Sequence, residues 1–406
     1  MIGWVLLSRQ AVARADQALR DGERGVRDEV GFQFIHQAVA NRLFPGTSVL
    51  QTRARYALLV PWLMKRVASS GTGEDLERRL LQAEGTLAGQ FVAGQQKGLD
   101  ADRAIGTDVW KQRRRPPVQP PSFSYWSALA EWGILLRRPD GSVPRRREVL
   151  RLLAGRGIRT RLSEDDPDPT SGTPSPFIGL PAAPLELGKT GIPLALSLTK
   201  EEQQFLRKQL LAVQRPDGKQ SLLAVLADAG VGGNCHAAWD AAVVDLADEP
   251  DRQLLRLARH AASLTAIGRG VYATLVEQLW NEDRGGTSHI NRDRLAKACR
   301  DHRPEAKQLD IDQLTQVFRD PELPSDFIEL LRATQIWLRR GAPSPKVLLD
   351  CYRTAEWNRK DTRSKLTGKH SGRLRRDEWR PDKHPEPIPI GYRWRNVSWL
   401  LKDITV

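Results

Sequence analysis

The 406-residue chain is poor in sulfur, with 3 cysteines and 2 methionines. Cys235, Cys299 and Cys351 lie far apart and form no CxxC pair. That excludes a disulfide scaffold and a zinc site built from paired cysteines, and it suits a reducing cytoplasm. Long apolar runs are absent too. No stretch approaches the roughly 20 apolar residues needed to span a bilayer. The opening MIGWVLLSRQ has no basic segment ahead of its short apolar run, as a secretory signal would. The expectation is a cytoplasmic protein without a membrane partner.

Catalytic signatures are also missing. There is no GxxxxGK[ST] loop, and GVGG at 230–233 and GRG at 268–270 are too short to cradle a phosphate. A GxSxG elbow is absent. His289, His302, His370 and His384 stand outside any HExxH or HxH pattern. His236 and Asp240, four positions apart, could form half of a metal or acid–base site. No second pair at useful spacing completes it, so a structural pair is expected. No catalytic residue, metal or cofactor is assigned, and the balance is against an enzyme.

What the chain does have is positive charge: 63 Lys and Arg against 49 Asp and Glu, a net +14. The excess of Arg over Lys is weak by itself, since a GC-rich genome produces it. The net charge is better evidence and favours a polyanionic partner, nucleic acid ahead of membrane and DNA ahead of RNA. With 12 tryptophans and 40% hydrophobic residues, the chain has material for a sizeable folded core.

Apolar spacing predicts a mainly α fold, a multi-helical array with an embedded winged-helix-like module and few short strands. Five segments are expected. Residues 1–110 form an N-terminal helical unit, with helices at 8–19, 32–43 and 74–91 and an irregular loop over 93–112. Residues 111–162 form the basic winged-helix-like module, and 163–196 a Pro-rich linker and extended segment. Residues 197–352 form a helical domain, with helices near 199–213, 222–228, 236–246, 251–280, 292–300, 305–318, 325–339 and 345–360. Residues 353–406 are a second basic segment and a docked C-terminal end. Ser48 with Gln51, and Thr199 with Glu202, have the spacing of capping boxes, and Ser221 is placed to cap the helix that follows it. Gly268 and Gly270 point to close packing or a kink in the longest helix.

The stretch FPGTSVLQTRARYALLVPW, 44–62, is the most constrained passage. Its helix is apolar almost all the way round, which marks a core helix, and Pro61 should kink it. Arg53 falls on the side of Ala57, Val60 and Met64. Two readings apply to it: an ion pair with a carboxylate from Asp28–Glu29, or an anion-binding arginine in a cleft. Arg55 projects elsewhere and is expected to be exposed.

Charge is concentrated in two zones. Between Lys111 and Arg161, thirteen cations face three anions, so this segment carries +10 of the chain's +14. A helix over Ser124–Trp132, a short apolar strand at Ile134–Leu136, a Pro139-Asp140-Gly141 turn and a helix from Arg145 suggest a winged helix. In such a module one helix enters a major groove and the wing touches phosphates. The candidate nucleic-acid-binding residues are Arg113, Arg114, Arg115, Arg137, Arg138, Arg145, Arg146 and Arg147. Tyr125 and Trp126 would either pack the module or stack on bases. With no Asn or Gln over Ser124–Trp132, phosphate contacts should outweigh base readout. The second zone, Arg353–Lys383, sets eleven cations against five anions and adds Arg373, Arg375 and Arg376 as candidates. The closing YRWRNVSWLLKDI is too apolar to be a free tail and should dock on the core.

Several of these passages together resemble an uncharacterised bacterial family, domain of unknown function 6361. They are Gly3-Trp4, the 44–62 block, Tyr125-Trp126 with Trp132-Gly133-Ile134, Ser221-Leu222-Leu223, and Tyr392-Arg393-Trp394 ahead of Asp403-Ile404. The likeness runs through nearly the whole chain. Proteins of this kind tend to be encoded in antiphage defence islands near helicases and phospholipase-D-type nucleases. The resemblance implies a component of a DNA-directed defence system and supplies no catalytic motif. The expected function is a non-catalytic nucleic-acid-binding subunit of such a system, with helicase or nuclease subunits as partners. Two alternatives stay open: a metal-dependent nuclease whose carboxylates converge only in three dimensions, and a scaffold for an acidic partner protein.

Overall fold

The computed structural model describes residues 29–69, 75–162, 175–319 and 322–405, the side chains of 156–162 excepted. The expected helix at 8–19 lies outside these residues, as does 163–174 of the Pro-rich linker. The chain is mainly α: seventeen α-helices occur among the described residues. Strand pairing among them is confined to three isolated antiparallel bridges, Leu135–Phe177, Gln214–Gln220 and Arg319–Glu322. The described residues divide into two compact units, 36–258 with 391–405 and 29–35 with 259–390.

In the first of these, the helix Tyr56–Ser69 is buried without interruption from Tyr56 to Met64, with Pro61 inside it. The helix does not begin at Ser48. The Gln51 side chain accepts from the Ser48 N–H at 3.2 Å, as a capping box requires, but Ser48 Oγ accepts from Leu50 rather than Gln51. Gln51 Nε2 is meanwhile held by the carbonyls of Gly46 and Ser124. These bonds turn the chain at 48–51 and delay the helix to Tyr56. The second box forms as its spacing predicts: Thr199 Oγ1 accepts from Glu202 N at 3.2 Å, Glu202 Oε2 accepts from Thr199 N at 2.9 Å, and Lys200–Leu211 follows. Ser221 likewise caps Leu222–Ala229. The helix expected over 236–246 shrinks to Ala241–Val244. Asp240 Oδ2 takes the backbone N–H of His236 at 2.6 Å, a local side-chain bond that competes with helix formation.

Two further differences fall in and around the basic segment. The expected loop over 93–112 ends in a helix, Thr107–Arg113, whose Trp110 packs on Leu76–Gln96. An added Cβ would lie 2.7 Å from the Trp110 ring at Gly89 and 3.1 Å from it at Gly85, so the glycines create the space the indole fills. No two-stranded wing forms among the described residues of 111–162 either. Gly141 N bonds back to Arg138 O within the turn, while Leu136 N donates to Pro176 O and Ile178 N to Ile134 O. The chain thus pairs across the turn only at Arg138 N to Ser142 O, 2.9 Å, while the short apolar strand pairs with 176–178.

The helix Trp394–Thr405 docks in the same unit. Tyr392 OH donates to Ala258 O at 2.9 Å, Trp394 Nε1 to Cys235 O at 3.0 Å, and Asn396 Nδ2 to the carbonyls of Val49 and Gln51.

The other unit takes residues 259–284 from the long helix Glu249–Arg284. Gly268 and Gly270 serve close packing: an added Cβ would sit 2.5 Å from Phe32 Cζ and 3.0 Å from Leu295 Cδ1, respectively. Buried Glu277 accepts from Ser288 Oγ and from the N–H groups of Asn291 and Arg292, satisfying the start of the helix Ile290–Lys307. Glu356, also buried, accepts from Tyr272 OH, Ser364 Oγ and Leu366 N. The helices expected at 292–300 and 305–318 appear instead as Ile290–Lys307, with Pro304 inside it, and Ile311–Val317.

Candidate nucleic-acid interface

One turn of the helix Leu76–Gln96 holds both arginine runs of the 111–162 segment. Glu84, 2% exposed, accepts from Ser122 N at 2.6 Å and from Ser122 Oγ at 3.2 Å. The adjacent Gly85 receives Pro116 and Trp110. Ser122 Oγ in turn accepts from Arg146 Nη1 at 3.3 Å, and the Arg146 guanidinium lies over the Phe123 ring, 5.5 Å from its centroid. Burial pushes the Glu84 carboxyl up to about 7, against the opposing pull of the Ser122 hydrogen bonds and the Arg146 charge.

On either side of this anchor the cations face solvent. Lys111, Arg113, Arg114 and Arg115 are exposed, with Arg114 in the left-handed conformation, φ 51°, that ends its helix. Arg145 and Arg147 are exposed at the start of Arg146–Leu162, and Arg146 between them is half-buried. Among the described residues Arg113, Arg114, Arg115, Arg145 and Arg147 form no salt bridge and no side-chain hydrogen bond. Arg137 and Arg138 differ. Arg137 pairs with Glu131 at 2.5 Å, and Arg138 pairs with Glu148, its Nε 2.9 Å from Oε1. The Arg138 hydrogen bonds hold the Glu148 carboxyl below the ordinary range.

Of the two roles expected for the aromatic candidates, Tyr125 takes packing. Tyr125 is fully buried and cannot meet a base: its hydroxyl donates to Arg53 O at 2.7 Å and accepts from Thr52 N and Arg53 N. Trp126 is half-buried, with Nε1 on Pro144 O at 3.0 Å. Phe123, which no sequence motif singles out, is 44% exposed. Two residues along a helical turn are about 200° apart, so with Tyr125 turned inward Phe123 faces out.

Arg53 and Arg55 are both buried and paired. Arg53 bonds Asp403 and Asp100, not the Asp28–Glu29 segment. Glu29 instead pairs with Lys360 and Lys365. Arg55, expected at the surface, donates to Glu202 Oε1 and to Ala195 O, each at 2.7 Å. The carboxylate that completes the Thr199 cap thus also draws Arg55 inside.

Residues 2–143 match the family of unknown function DUF6361. The matched stretch takes in the 44–62 block, Arg113–Arg115, Phe123, Tyr125 and Trp126, and stops just short of Arg145–Arg147. No curated protein and no solved structure matches the chain.

In the second basic zone, Arg373 and Arg375 are exposed on the helix His370–Asp377, with Arg375 3.5 Å from Glu378. Arg376 is buried instead. It bonds Asp283 at 2.7 Å and the carbonyls of Lys365 and Thr367, so its charge is neutralised inside the unit and does not meet a phosphate. Among the described residues no group of three or more His, Cys, Asp or Glu side chains is arranged to hold a metal ion. No helix among them is long and apolar enough to cross a membrane.

Proposed function

We propose that the protein binds nucleic acid without catalysis, through phosphate contacts from Arg113, Arg114, Arg115, Arg145 and Arg147. The observation that carries this reading is that these five guanidinium groups face solvent and form no salt bridge among the described residues, on two runs fixed to one turn of Leu76–Gln96. Surface arginines elsewhere in the chain commonly pair with a neighbouring acid, as Arg137 and Arg207 do. Arginine is suited to phosphate because its planar fork can donate two hydrogen bonds at once. DNA is the preferred partner. The wider role, a subunit of a DNA-directed antiphage system working with helicase or nuclease subunits, rests on the sequence resemblance alone.

The test is a salt titration of binding to labelled DNA by the wild type and the double variant Arg145→Glu, Arg147→Glu. Because phosphate contacts release counterions, log affinity should fall linearly with log salt. Each arginine–phosphate pair removed should flatten the slope by about 0.9 on duplex and about 0.7 on a single strand. The double variant should bind at least about tenfold more weakly near 0.1 M salt with its Tm unchanged. Equal affinity in the two proteins would remove the assignment.

A further inference from the structure

We infer that this surface takes single-stranded nucleic acid, with one base stacked on Phe123. The inference rests on the nucleic-acid reading above and names the form of the ligand. Among the described residues Phe123 is the only Phe, Tyr or Trp that is exposed; all the others are buried or half-buried. An outward-facing phenyl ring is costly to hydrate and gains most from a flat apolar partner. This one lies in the middle of the charge: Ser122, its neighbour, is hydrogen-bonded to both Glu84 and Arg146, and the Arg146 guanidinium lies over the ring at 5.5 Å, leaving it 44% exposed. Arg113–Arg115 precede it and Arg145–Arg147 follow, joined to it through the same turn of Leu76–Gln96.

Cations that track a phosphate chain, interleaved with an aromatic platform and a stacking arginine, are what proteins use to hold a single strand. A duplex keeps its bases stacked on one another and offers the ring nothing. The helix Trp126–Glu131, which lies within the expected Ser124–Trp132 helix, is poorly placed to enter a major groove. It is six residues long, buries Ala128, Leu129 and Ala130, and has its Trp126 indole N–H bonded to Pro144 O.

Three fluorescein-labelled probes test this by anisotropy on the full chain: a thymidine strand of about 20 nucleotides, a duplex of the same length, and an abasic strand of the same length and charge. The wild type should bind the thymidine strand more tightly than either of the others. Phe123→Ala should weaken binding to that strand about tenfold, the scale of one lost base stack. Its affinity for the duplex and the abasic strand should not change, and Phe123→Trp should restore tight binding. If Phe123→Ala is silent, or weakens all three probes equally, the stacking assignment is overturned while the phosphate contacts stand. A duplex bound more tightly than the strand overturns it too. If the wild type binds none of the probes, the nucleic-acid reading falls and this inference with it.

Discussion

Arg53 Nε lies 3.0 Å from each carboxylate oxygen of Asp403, while its two Nη nitrogens reach Asp100 at 2.8 and 2.6 Å. Asp403 Oδ2 also accepts from Ala54 N at 2.8 Å. The two carboxylates differ in setting: the Asp403 side chain is 8% exposed, that of Asp100 46%. A half-exposed partner is screened by water, whereas removing a buried one strands the opposite charge. Urea unfolding should therefore show Asp403→Ala losing about 3–5 kcal/mol and Asp100→Ala about 1 kcal/mol or less. Arg53→Ala, which frees both acids, should cost at least as much as Asp403→Ala. Similar losses for the two aspartates would refute this ordering.

Glu84 gives the fold a pH dependence with a definite sign. Its carboxyl titrates near 7 in the folded chain, against an ordinary 4.5. Between those values the folded chain holds a proton that the unfolded chain releases, so stability falls as pH rises through this window and stays reduced above it. The full effect is roughly 3 kcal/mol. Glu84→Gln keeps an acceptor for Ser122 N and does not titrate. Relative to the wild type, the variant should gain stability from pH 5 to pH 8 by about that amount, read as a widening gap in urea midpoint. A gap independent of pH would mean that Glu84 carries its charge throughout.

The three arginines at 373–376 should separate cleanly. Arg373→Ala and Arg375→Ala remove exposed side chains and should stay within about 0.5 kcal/mol of the wild type. Arg376→Ala leaves Asp283 and two carbonyls without their donor. It should destabilise by about 3–5 kcal/mol. Loss of stability on the same scale in the Arg373 variant would contradict the placement.

Short-range signals were legible in the sequence. Phe32–Leu43 and Ser325–Arg339 have the bounds that their apolar spacing predicts, and the Thr199–Glu202 box closes as its spacing requires. That Arg113–Arg115 lie at the surface is legible too, since three consecutive cations before a Pro-Pro pair have nowhere to be buried. Partner choice was not legible. Arg55 and Glu202 are 147 positions apart, and Arg53 and Asp403 are 350 apart, so no local pattern links them. The same holds for the aromatics. Which of Phe123 and Tyr125 turns inward depends on where the Pro121–Ser124 turn is pinned, and Glu84, 38 positions from Ser122, pins it. The missing wing has a similar origin, because Leu135 finds its partner in Phe177, beyond the Pro-rich run.

The docking of Trp394–Thr405 also bears on the order of synthesis. Residues 36–258 leave the ribosome well before 391–405, with all of 259–390 made in between. Until then the Val49 and Gln51 carbonyls lack the Asn396 amide, and Arg53 lacks Asp403. The growing chain thus passes through a long interval in which the Arg53 guanidinium has Asp100 but not its buried partner. This unit completes its folding only late in translation, and the interval before that is when a nascent chain depends most on chaperones.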